Sequence, residues 1–123
     1  MHATVANLCF ARYKQIETSH QNLAINYRAL ILATAEQYLT AIPPIDTLLK
    51  PDGLAQVIEL MLHGYDMTGE KKYFNRADFF GQISIKQFLD DGLPLPKTTN
   101  RSQHYEAITG GPHLMYALLQ IAH

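Results

Sequence analysis

The sequence predicts an all-α fold built from antiparallel helical hairpins. Apolar residues recur at three- and four-residue steps through most of the chain, and prolines and glycines fall between those runs. Alternation of apolar and polar residues never persists long enough to make a strand.

The first periodic segment, Thr4 to Thr18, reads as a helix. From His20 to Ala41, one face carries Leu23, Tyr27, Ile31, Ala35 and Tyr38. The opposite side is also apolar, through Ile25, Ala29, Leu32 and Ala33, with Glu36 as its polar exception. A helix apolar over most of its circumference belongs between other elements. Pro43-Pro44 ends it, because neither residue donates the helical hydrogen bond.

The next helix is expected to start near Asp52, an N-cap following Pro51, and to present the stripe Leu54, Val57, Ile58, Met61, Leu62 and Tyr65. It stops at Thr68-Gly69. A further helical pattern resumes at Glu70 through Tyr73, Phe74, Ala77 and Phe80 to Phe88-Leu89, so the two form an αα-hairpin. Gly69 makes the tight turn, Tyr73 is expected to pack back over it, and Ala77 lets neighbouring helices approach. After Asp90-Asp91-Gly92, the prolines of LPLPK impose an extended connection to about Arg101. Gly111-Pro112 then opens a last apolar helix, HLMYALLQIA.

With 123 residues the chain is read as a single domain, residues 1–123. Its 47% hydrophobic and 17% charged content is that of a globular protein with an under-charged surface. Hairpins recurring at roughly 40-residue spacing suggest a helical repeat array, which needs about three units to cover each apolar face. The chain holds barely that number, so self-association or packing on the remainder of a longer chain is expected. A net charge of −1, with no basic run longer than Lys71-Lys72, excludes the stripe that nucleic acid requires. No uncharged apolar run approaches the ~18 residues of a membrane span. The segment MHATVANLCFARYK has neither the basic nor the apolar region of a signal peptide, so the expected compartment is the cytoplasm. Cys9, the single cysteine, sits in an LCFA setting that predicts a buried, inert thiol.

Gly64 to Phe80 reads GYDMTGEKKYFNRADFF and contains the pattern Tyr65-x-x-Thr68-Gly69-x-x-x-Tyr73-x-x-x-Ala77. This resembles the hairpin repeated in (α/α) toroids, the six-hairpin barrels of many glycoside hydrolases and polysaccharide lyases. The resemblance covers Asp52 to about Asp91, with Arg101 to Ala122 as what remains of a following hairpin. It implies a partial (α/α) toroid: a fragment or shortened relative of a carbohydrate-active protein, of lyase or hydrolase type, whose partner is a polysaccharide or oligosaccharide. The alternative is a non-catalytic helical-hairpin scaffold or binding module.

Lyases of this type use a tyrosine or histidine to move protons at a uronic acid, while asparagine, histidine or arginine neutralises the sugar carboxylate. The resemblance therefore implies catalytic roles for Arg101, His104, Tyr105 and Glu106, and substrate binding by Asn100, Tyr65 and Asp66. The proton beside a carboxylate is removable only when the developing charge is met by positive or hydrogen-bonding groups. The same residues have a structural alternative, with Arg101 and Glu106 solvated or paired, Ser102 capping a turn, and His104 and Tyr105 anchoring the loop. A hydrolase needs two carboxylates, about 5 Å apart for retention. Glu106 and Asp66 are the acids considered, although Asp66 also reads as a turn stabiliser beside Thr68-Gly69. Tyr65, with Tyr73, Tyr105 and Tyr116, offers an aromatic face to a pyranose, whereas tyrosines at helical spacing otherwise belong to a core. His63 and Asp66 lie three apart, and His104 and His113 flank the final turn. The chain has no HExxH and no cysteine ligand pair, so no metal is expected. No Gly-rich phosphate loop or nucleophile elbow is present, and no cofactor is expected.

Overall fold

The computed structural model describes residues 2–42, 51–88 and 117–121, and these residues are all-α. Four helices, α1 (Ala3–Ile16), α2 (Gln21–Thr40), α3 (Pro51–Thr68) and α4 (Lys71–Phe88), are joined by a short helical segment α5, residues 117–121. The expected stop at Pro43-Pro44, the LPLPK connection and the start of the last helix at Gly111-Pro112 lie outside the described residues. Helix α3 already includes Pro51, so Asp52 is a helical residue and not the N-cap that the sequence suggests. Pro51 itself takes the first helical position, where its missing N–H costs nothing.

Helices α1 and α2 are joined by a turn at residues 17–19, closed by the His20 N–H donating to the Ile16 carbonyl at 2.9 Å. Helices α3 and α4 are joined at Gly69-Glu70. Each short connection makes an antiparallel hairpin. The two hairpins stack with α1 against α3 and α2 against both α3 and α4. Asn7 reaches Gln56 while Lys14 reaches Asp66, so α1 and α3 run in the same direction. Arg76 reaches Tyr38 and Ala41, near the end of α2. The pairs of like-directed helices form two layers, the arrangement of stacked hairpin repeats.

The core lies between these layers. Leu54, Val57, Ile58, Leu60 and Met61 of α3 meet Tyr73, Ala77 and Phe80 of α4, with Ile31 and Ala35 of α2 and Ala3 and Ala6 of α1. The stripe expected on α3 is buried as far as Met61 and half-buried at Leu62, but Tyr65 is 37% exposed. Two buried hydroxyls are satisfied within their own helices. Thr34 donates to the Leu30 carbonyl at 2.9 Å and Ser84 to the Phe80 carbonyl at 2.9 Å.

Helix α2 differs from its sequence reading. It buries Ala24, Ile31, Thr34 and Ala35, whereas Ile25, Ala29 and Ala33 are exposed, Ile25 by 64%. The physical reason is the two-layer stacking, which covers one side of α2 and leaves the other outside. On α1, Leu8 is likewise 68% exposed. Cys9 is half-buried against the core and is not fully enclosed.

The α3–α4 turn assigns its two glycines different tasks. Gly69 has φ +72°, and a side chain there would meet nothing within 4 Å, so the backbone conformation alone calls for glycine. Around it, the Gly69 N–H donates to the Tyr65 carbonyl at 2.7 Å, and the Thr68 hydroxyl donates to the Gly64 carbonyl at 2.7 Å while accepting from the Glu70 N–H at 3.1 Å. Gly69→Ala is expected to lower stability by about 1–2 kcal/mol through left-handed strain. Urea unfolding would show a lower midpoint at unchanged slope, and Gly69→Asn should lose less. Tyr73 packs over Gly64, not over Gly69 as the sequence suggested. A Cβ at Gly64 would lie 2.8 Å from Tyr73 Cδ1 and 2.9 Å from its Cγ.

Helices α2 and α3 both lack a basic residue in their last turn. Each receives a cation from another helix instead. The Arg76 guanidinium donates to the Tyr38 carbonyl at 2.7 Å and the Ala41 carbonyl at 3.0 Å, and Arg28 donates to the Met67 carbonyl at 3.3 Å. Carbonyls at a helix end have no intrahelical partner and carry the negative end of its dipole, so these contacts join the hairpins at their helix ends. Arg76 also lies over the rings of Phe79 and Phe80, at 4.2 and 4.8 Å.

Candidate functional site

Asn100, Arg101, His104, Tyr105 and Glu106 lie outside the described residues. Tyr65 and Asp66 are described, and the structure does not bring them into one site. They are consecutive on the last turn of α3, and neighbours in sequence point about 100° apart around a helix. Asp66 turns toward α1, where its carboxylate lies 3.7 Å from Lys14 Nζ. Tyr65 turns toward α4, its ring centroid 5.5 Å from that of Phe74 with the planes inclined at 56°.

The two rings form the wall of a groove of about 510 Å³, bounded by Leu62 and Tyr65 of α3, Lys71, Phe74 and Asn75 of α4, and Gln120 of α5. Its volume falls in the range of small-molecule sites, roughly 300–1,000 Å³. Its lining combines apolar and aromatic side chains with an ammonium and two amides. Positions of this kind were partly legible: Tyr65 and Phe74 stand on either side of Gly69, so a tight turn brings them close. Gln120 carried no such signal, because its approach depends on how α5 docks. That docking uses Gly81, where a Cβ would lie 3.0 Å from Ile121 Cδ1.

A second constellation, which the sequence pattern does not indicate, joins α1 to α3. The Asn7 amide donates to the Gln56 carbonyl at 2.8 Å and to the Gln56 side-chain oxygen at 2.8 Å. Both acceptors require the NH₂ side of the amide, so Asn7 Oδ1 is the atom facing His63 Nδ1 at 2.8 Å. Nδ1 therefore carries the hydrogen and donates, and in the neutral ring the lone pair is on Nε2. Phe10 stacks on the imidazole at 3.9 Å between centroids, with the planes 4° apart. Burial pushes the His63 pKa down to about 4, opposed only in part by the Asp66 carboxylate. The ring is thus neutral at pH 7 and holds α1 on α3. Exposed ion pairs of Lys14 with Glu17 at 3.4 Å and with Asp66 at 3.7 Å edge this contact.

Among the described residues, no group of three His, Cys, Asp or Glu side chains is placed to hold a metal ion. Within the same residues, no helix is long and apolar enough to cross a membrane. Comparison with protein-family models, with curated proteins and with solved structures finds no match to this chain.

Proposed function

We propose that this chain is a helical-hairpin module that acts by binding, with the groove between α3, α4 and α5 as its ligand surface. The observation that carries this reading is the inclined pair Tyr65–Phe74, which lines a space of about 510 Å³ together with Lys71, Asn75 and Gln120. Aromatic walls with a few polar groups opposite are the usual composition of a small-molecule site. The test is a titration of the chain with ring compounds, both aromatic and pyranoside, followed by amide NMR. Shifts should gather at Leu62, Tyr65, Phe74 and Asn75 and disappear in Phe74→Ala. Shifts unaffected by Phe74→Ala would overturn the reading.

A carbohydrate-active reading, of lyase or hydrolase type, draws support from the layered hairpins and from Tyr65, whose ring can stack on a pyranose. In it, Arg101, His104, Tyr105 and Glu106 carry the chemistry and Asn100 binds substrate. A polysaccharide panel would give unsaturated-uronate absorbance for a lyase and new reducing ends for a hydrolase. Turnover unchanged in His104→Ala and Tyr105→Phe, with folding retained, would end the assignment of those residues. Self-association has its own support in the exposed Leu8 and Ile25. Sedimentation of a stable monomer would contradict it.

A further inference from the structure

We infer that the α3–α4–α5 groove selects a small aromatic carboxylate; this rests on the binding reading above and adds the ligand's class. Two features of the groove lead to it. The first is shape. Rings inclined at 56° with centroids 5.5 Å apart form a wedge, in which a flat aromatic ring stacks on one side chain and meets the other edge to face. The second is charge. Among the described residues, Lys71 is the one ionic side chain bounding the groove, and no carboxylate bounds it. The two acids at the α3–α4 turn are engaged elsewhere. Glu70 pairs with Lys72 at 3.1 Å, and Asp66 turns to Lys14 at 3.7 Å. Among the described residues Lys71 forms no ion pair, so an anion entering the groove meets an uncommitted ammonium. The amides of Asn75 and Gln120 add hydrogen-bonding groups to the lining. A ligand with a flat apolar ring and one carboxylate matches both features at once.

The experiment compares 2-naphthoate with 2-naphthamide, which share ring and shape and differ in charge, by amide NMR on the full chain. The carboxylate should bind about three- to fivefold more tightly, as expected for an exposed ion pair. The difference should vanish in Lys71→Met and at high salt, where an exposed pair is screened. Lys71 is an exposed side chain at the start of α4, and a circular dichroism spectrum will confirm that the variant keeps its fold. Equal affinities for acid and amide, with shifts at Tyr65 and Phe74, would overturn the charge selection and leave the binding reading standing. An acid preference that survives in Lys71→Met would also overturn it. No shift at the groove with either compound would overturn both.

Discussion

Tyr73→Ala is expected to destabilise the chain by about 3–5 kcal/mol, the range for removing a large buried aromatic side chain. Tyr73 is 2% exposed and fills the space over Gly64 on the facing helix, so its loss leaves a cavity between α3 and α4. Gly64→Ala probes the same contact from the other side. Glycine inside a helix ordinarily costs about 1 kcal/mol relative to alanine, so an unhindered site would gain from the change. Here the new methyl would stand 2.8–3.1 Å from three ring atoms of Tyr73, and overpacking of that kind costs about 1–3 kcal/mol. The net result should be a loss in the native background. In the Tyr73→Ala background the ring is gone, and Gly64→Ala should become neutral or stabilising. Chemical denaturation of the four members of the cycle measures this reversal of sign. Additive losses would show that the ring does not rest on Gly64.

Acidification should weaken the chain through His63. Its folded pKa is about 4 against 6.5 for the unfolded side chain, so between these values the unfolded chain binds more protons than the folded one. Stability therefore falls as pH drops through that window, and the contribution of His63 is intact above pH 6.5. The loss should reach about 2–3 kcal/mol by pH 4, somewhat less than the full shift implies because the ring is not wholly enclosed. His63→Asn keeps an amide N–H near the position of Nδ1 and cannot titrate, so it should flatten the pH profile in this range. Asn7→Ala leaves the His63 N–H without its acceptor and should cost about 1–3 kcal/mol at pH 7. A pH profile identical in the native chain and His63→Asn would show that the imidazole is not shielded from water.

Much of the helical layout was legible because its causes are local. The stripe from Leu54 to Met61 and the φ of +72° at Gly69 follow from residues a few positions apart, and both are present in the structure. The groove was half legible. Tyr65 was singled out as an aromatic face, but its partner Phe74 read as part of a core stripe. Asp66, grouped with Tyr65 in sequence, faces another helix. In the sequence, half-buried His63 stands out only beside Asp66, as a pair considered for a metal. Its acceptor Asn7 lies 56 residues away, on a helix that sequence periodicity recognises without indicating what it touches.

Taken alone, the sequence determined the helices, the α3–α4 turn and the apolar stripe of α3, since backbone geometry and side-chain period act over three or four residues. The tertiary structure decided which of the two apolar sides of α2 is covered. It also decided that Arg76 and Arg28 cap helices 35 to 39 residues away, and that Tyr73 rests on Gly64. These outcomes depend on how one hairpin stacks on the next. That stacking is selected by the summed packing of both hairpins, a quantity no single segment of the chain contains.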